Sequence, residues 1–134
     1  MQIDGPLDDN DPSVPGNIGR LPRPMTGSEF CEWIAGCLGR EPQHIGEEGD
    51  LIRTIGWCTG AAQGYLQKAI DAGVDAFLTG EINEPAVHLA RETGIHFFSA
   101  GHHATERYGV KALGEYLAGE FDLDVEFIDI DNPV

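Results

Sequence analysis

The sequence predicts an α/β fold: a mostly parallel sheet with helices on both faces. Two observations carry this. From residue 51 onward, apolar runs of strand length alternate with longer segments of helical period, the signature of βαβ units. Each predicted helix is also closed by its own punctuation, a capping residue before it or a glycine after it. A length of 134 residues fits one ordinary domain. Right-handed crossovers between successive strands then place helices over both faces of the sheet.

The elements follow in order. Residues 1–25 hold Pro6, Pro12, Pro15, Pro22 and Pro24 among Asp4, Asp8, Asp9 and Asp11. Proline lacks the amide that helix and central strand both need, so this stretch reads as a linker or extended arm. Regular structure is expected to begin at Thr26. Thr26-Gly27-Ser28-Glu29 fits a capping box, with Glu29 reaching back to the amide of Thr26. Phe30, Trp33, Ile34, Cys37 and Leu38 mark one helical face, and Gly39 ends it.

Leu51 to Cys58 reads as a strand, and a helix runs from the Thr59-Gly60-Ala61-Ala62 turn to about Ala72, before Gly73. Val74 to Thr79 is the second strand of this series. Asn83 caps a helix that tolerates Pro85 in its first turn and stops at Gly94. Ile95 to Ser99 is the next strand, followed by a helix from about His103 to Ala118. Val125 to Ile130 alternates apolar and acidic residues and is expected as a final edge strand.

Charge and composition narrow the function. The chain carries 23 acids against 8 bases, a formal charge of −15. Binding to a nucleic-acid backbone needs basic surface and is not expected. An anionic substrate must be held by a metal or by local groups against a repelling field. No apolar run approaches the ~20 residues of a membrane span, and no signal-peptide pattern opens the sequence, so a cytoplasmic protein is expected. Cys31, Cys37 and Cys58 have no C-x-x-C spacing and read as buried free thiols.

In an open parallel sheet, ligands bind beyond the carboxyl ends of the strands. Three segments occupy that rim: Thr59-Gly60-Ala61, Thr79-Gly80-Glu81, and Gly101 through Glu106. In the last, either His102 or His103 shares a helical face with Glu106. Imidazole and carboxylate together suit zinc, iron, manganese or nickel, although Glu106 is equally an ordinary first-turn acid and spacing alone does not choose between the histidines. Glu81 is either a site carboxylate or a polar turn residue. His88 is expected to pack mid-helix, and His44 and His96 read as structural. Two or three ligands from one loop do not complete a metal site, and no second cluster at ligand spacing exists in the chain.

The stretches "GVDAFLTGE", "WCTGAAQGYL", "HLARETGIHFFSAGHHATERYGVKALGEYLA" and "DLDVEFIDIDNP" resemble the C-terminal half of the YbgI-like family, the GTP cyclohydrolase 1 type 2 homologues, over about residues 26–134. The resemblance implies one lobe of a two-lobe protein with a pair of divalent metal ions between the lobes. Residues 26–134 would then carry half of a dinuclear site, with His102 and Glu106 as metal ligands and His103 beside them. Residues 1–25 would be the connection to the other lobe, whose His-His pair and Asp have no counterpart here. The resemblance also implies a homo-oligomer, a hexameric ring in the family. The implied activity is a metal-dependent hydrolase acting on a purine nucleotide or similar cyclic amidine, with Glu81 or His103 moving protons. The alternatives are a non-enzymatic metal-binding ring subunit and a fragment without activity of its own.

Overall fold

The computed structural model describes residues 1–134. Six strands form one sheet: β1 Gln2–Pro6, β2 Asn17–Thr26, β3 Gln43–Ile45, β4 Leu51–Trp57, β5 Ala76–Thr79 and β6 His96–Ser99. Four helices accompany them: α1 Gly27–Leu38, α2 Leu66–Asp71 (entered through a short 3-10 turn at Gln63–Tyr65), α3 Glu84–Thr93 and α4 His102–Phe121. The spatial order of strands is β1-β2-β4-β5-β6-β3. The centre, β4-β5-β6, is parallel, and the flanking pairings are antiparallel.

Helix boundaries obey local chemistry. The hydroxyl of Thr26 accepts from the amide of Glu29 while the Glu29 carboxylate accepts from the amide of Thr26, a closed capping box. Gly39 and Gly94 end α1 and α3 in the left-handed conformation that glycine adopts without strain. Asn83 caps α3 through the amide of Ala86, with Pro85 in the first turn.

Each central strand is buried on both faces. Ile52, Ile55, Ala76 and Phe98 pack against Phe30 and Ile34 of α1. On the other face Phe77 and Phe97 pack against Leu66 and Ala69 of α2 and Ala86 and Ala90 of α3. Phe77, Phe97 and Phe98 are fully buried, each contributing about 1.5–3 kcal/mol by leaving water. Helices therefore lie on both faces, as the alternation of elements predicts.

Two segments differ from expectation. Residues 1–25 are not a linker: β1 and β2 extend the sheet beyond β4, and Leu7, Val14, Leu21 and Met25 join the core. Pairing of β2 with β4 is regular from Asn17 to Arg20 and resumes at Met25, and the register breaks between them. Pro22 and Pro24 lie inside that break, where no ladder amide is required. The expected strand Val125–Ile130 is not a strand. Residues 123–134 are irregular and exposed, and they pair with no strand of the sheet. The short β3, absent from the sequence reading, pairs with β6 at the opposite edge.

His44 and His96 are structural, as expected. Their rings stack with Phe98, and His44 Nε2 lies 2.9 Å from His96 Nδ1. His88, expected to pack, is exposed beside Glu84. Cys37 is exposed, and Cys31 and Cys58 are half-buried free thiols. No helix is long and apolar enough to cross a membrane.

Candidate metal site

The three predicted segments meet at the carboxyl ends of β4, β5 and β6. Buried hydroxyls tie them together. Thr79 Oγ1 donates to the Gly60 carbonyl at 3.0 Å and accepts from the Ala62 amide at 3.2 Å. Thr105 Oγ1 accepts from the Gly60 amide at 3.0 Å and lies 2.9 Å from the Gly101 carbonyl. Ser99 Oγ donates to the Gly80 carbonyl at 3.0 Å. Backbone bonds from Gly80 to Gly60 and from Gly101 to Gly80 complete the lattice. These bonds join the three loops to one another and give their buried backbone groups partners.

Gly60 shows why the rim closes so tightly. Its backbone φ is +67°, and a Cβ there would collide with the Glu106 carboxylate and lie 3.3 Å from His102 Nε2. Only glycine lets this loop pass directly beneath the two side chains.

On that floor the geometry selects His102. Its Nδ1 lies 2.7 Å from Glu81 Oε1, and its Nε2 lies 3.0 Å from Glu106 Oε2, one helical turn away. The Glu81 carboxylate raises the pKa of His102 above its ordinary value, partial burial opposes this, and Glu106 adds to it. A carboxylate beside each ring nitrogen favours the protonated form of the imidazole. His103 turns elsewhere: its Nε2 lies 3.2 Å from Asp129, away from Glu106. Glu81, His102 and Glu106 are therefore brought together and His103 is not.

The spacing of the pair suits a divalent ion. Two donors at about 2.0–2.2 Å from one ion, at angles near 90–110°, stand about 2.9–3.5 Å apart. The separation of 3.0 Å between His102 Nε2 and Glu106 Oε2 falls in that range. A carboxylate on the far ring nitrogen is the usual partner of a ligating histidine, fixing tautomer and orientation. The pair fits as part of a ligand set. No group of three or more His, Cys, Asp or Glu side chains in this chain forms a metal cage.

An open cleft of about 510 Å³ lies beside the pair, bounded by His102, Glu106, Val110, Phe127 and Ile128. Cys58, at the end of β4, senses the site: burial pushes its thiol pKa up and the Glu106 charge adds to the effect. Sequence reasoning placed the segment Thr59-Gly60-Ala61 on this rim, and Gly60 is the residue of it that passes beneath the pair. It also missed Thr79, Ser99 and Thr105, whose signal is slight: small hydroxyl residues at strand ends and in a first helical turn.

Comparison with known proteins supplies the family. The family described as Duf34/NIF3 (NGG1p interacting factor 3) matches residues 8–133. A Haemophilus influenzae protein named GTP cyclohydrolase 1 type 2 homolog is 57% identical over 129 residues, covering 96% of this chain and 51% of that protein. A Pseudomonas aeruginosa protein of the same name is 52% identical, covering 99% of this chain and 52% of its own length. Among solved structures, the protein ybgI superposes with a TM-score of 0.91 at 44% identity, over 99% of this chain and 52% of that one. TTHA1606 from Thermus thermophilus superposes with a TM-score of 0.75 at 28% identity, over 87% of this chain and 47% of that one. This chain spans about half the length of the curated relatives it matches.

Proposed function

This chain belongs to the Duf34/NIF3 family, and from that premise we propose that it carries one wall of a divalent-metal site in a metal-dependent hydrolase acting on a purine nucleotide or similar cyclic amidine. The substrate class follows the name its relatives bear, GTP cyclohydrolase 1 type 2 homolog. The observation that supports the metal most directly is His102 held between Glu81 and Glu106, at 2.7 and 3.0 Å, on the carboxyl rim of the parallel strands.

In this reading His102 Nε2 and Glu106 are ligands. Zinc, iron, manganese and nickel all suit a nitrogen and oxygen donor set. Glu81 keeps the proton on His102 Nδ1, so that Nε2 presents its lone pair to the site. This places Glu81 as the residue that orients His102. Gly60 leaves room for both ligands, and the hydroxyls of Thr79 and Thr105 hold Gly60 in place. When bound, a divalent ion supplies Lewis-acid polarisation of a substrate oxygen or nitrogen, or of water. Two donors leave the ligand set open, so further ligands come from outside this chain, in a longer protein or in an assembly with other copies. The cluster Val110, Leu113, Tyr116 and Phe121, exposed along α4, favours such association, in keeping with a homo-oligomeric ring.

Equilibrium dialysis of this chain against zinc and manganese tests the ligands. Wild type is expected to bind in the micromolar range or weaker, about 8 kcal/mol or less, and His102→Ala to bind nothing. Equal binding by wild type and His102→Ala would overturn the assignment. Release of formate from GTP by a full-length relative, lost in the variant equivalent to His102→Ala, tests the reaction. Metal retained without turnover of any cyclic amidine would favour the non-enzymatic ring subunit instead.

A further inference from the structure

The chain has only 8 Lys and Arg residues against 23 acids, yet two of its arginines converge with His103 at one corner beside the candidate site. A cavity of about 340 Å³ there is bounded by Arg40, His103, Arg107, Asp129, Asp131 and Pro133.

The donors are set by the folded body. Arg107 Nη2 donates to the carbonyl of Leu38 at the end of α1, at 2.6 Å. The side chain of Arg40 lies flat on Gly101, where a Cβ would come within 2.8 Å of its Nε. The amide of His103 belongs to the first turn of α4, where backbone N–H groups have no partner within the helix.

The acceptors on these donors come from the last six residues. Arg107 Nη1 donates to Asp129 Oδ2 at 3.0 Å, and His103 Nε2 lies 3.2 Å from Asp129 Oδ1. Arg40 Nη1 donates to the Pro133 carbonyl at 2.6 Å, and the His103 amide donates to the Val134 carbonyl at 3.0 Å. A fixed set of donors is thus covered by oxygens from a segment with no regular structure, exposed at every residue from 123 to 134. Both acids that bound the cavity, Asp129 and Asp131, lie on that segment and would leave with it.

We infer that this corner, formed by Arg40, Arg107 and the His103 amide, is an oxyanion site for a phosphoryl group, and that the C-terminal segment occupies it as a displaceable strap with Asp129 standing in for the ligand. Two guanidiniums and a helix amide offer more donors than the two oxygens of a carboxylate can use. They match the several oxygens of a phosphate or diphosphate. The cleft that reaches His102 and Glu106 also touches His103 and Arg107. A phosphorylated substrate could therefore set its anionic end on the arginines and its reacting end at the proposed metal. That last step rests on the metal reading, and the oxyanion site itself does not.

The test is calorimetric titration with inorganic pyrophosphate at low salt, in the presence of EDTA. Wild type, Asp129→Asn, and Asp129→Asn combined with Arg40→Gln or Arg107→Gln are compared, with circular dichroism confirming that each is folded. Asp129→Asn is expected to bind pyrophosphate roughly tenfold tighter than wild type, the scale of one charge-assisted hydrogen bond removed from competition. Either arginine substitution in that background should remove the gain, and acetate should not bind measurably to any variant. Unchanged affinity in Asp129→Asn, full binding after Arg40→Gln, or acetate binding as well as pyrophosphate would each overturn the proposal. Because the titration excludes metal, its failure leaves the ligand assignment to the dialysis experiment, and failure of dialysis leaves this result intact.

Discussion

His96 and His102 stand at opposite ends of β6, one opening the strand and the other just past its close, and their surroundings are opposite. His96 is buried, its ring stacked with Phe98 and His44, and its Nε2 has no hydrogen-bond partner. Burial pushes its pKa down, with Asp50 and Asp75 opposing. His102 lies at the open rim between two carboxylates, and its pKa is raised. The same side chain is part of the packing at one end and lies between two carboxylates at the open rim at the other. What separates them is the charge and water around the ring, not the strand that carries it.

This contrast can be broken or sharpened by experiment. The largest effect is expected at the buried end. Phe98→Ala removes a fully buried ring that touches Phe30 and His44 and should lower stability by about 3–5 kcal/mol. Urea unfolding measures this, and metal bound per folded chain should not change. If metal binding fell with stability, the two ends of β6 would not be independent. At the other end, His102→Ala should lower metal affinity by at least about 100-fold, the upper range for disturbing even a ligand's supporting partner. Its urea midpoint should stay near wild type, since His102 is part-exposed.

Glu81→Gln is a finer probe. It keeps the shape but weakens the hold on His102 Nδ1, and should cost about 10–100-fold in metal affinity. An unchanged affinity would mean that Glu81 does not orient the ring.

The smallest effect is in pH dependence, measured without metal. His44 and His96 have pKa values below the ordinary 6.5: burial comes first for both, and the His96 charge adds for His44, against Glu48. The unfolded chain therefore binds protons more readily at these sites. Their contribution is full above pH 6.5 and is lost as pH falls towards the depressed folded values. His102 has the reverse sign. Its contribution is full below 6.5 and disappears as pH rises through the raised folded value. Stability measured across this range should show a shallower acid limb in His96→Phe, where His44 remains, and lose its alkaline limb in His102→Gln. The same limb weakened in both variants would contradict the opposed environments.

What could be read from the sequence was local. Thr26 with Glu29, Asn83 with Ala86, and Gly39 and Gly94 define helix ends over three or four residues, and such spacings survive in any fold that keeps the helix. The parallel centre was legible because apolar runs of strand length with helices between them have few ways to bury both faces. His102 and Glu106 were legible as neighbours for the same reason, being one helical turn apart.

Tertiary structure decided the rest, because the deciding contacts join residues far apart in the chain. Proline content argued against strands in residues 1–25, but β4 accepts β2 with a register break where Pro22 and Pro24 fall. The alternating pattern of residues 125–130 favours a strand, yet a strand exists only where another edge meets it, and none does here. Spacing left His102 and His103 open and the family resemblance pointed to His102; the contacts that hold it beside Glu106 come from Glu81, 21 residues away, and from Gly60, whose missing Cβ leaves room for the pair. Sequence spacing determines which side chains share a face. Only the packed sheet determines which faces meet, because hydrogen-bond partners and excluded volume are properties of the assembled rim.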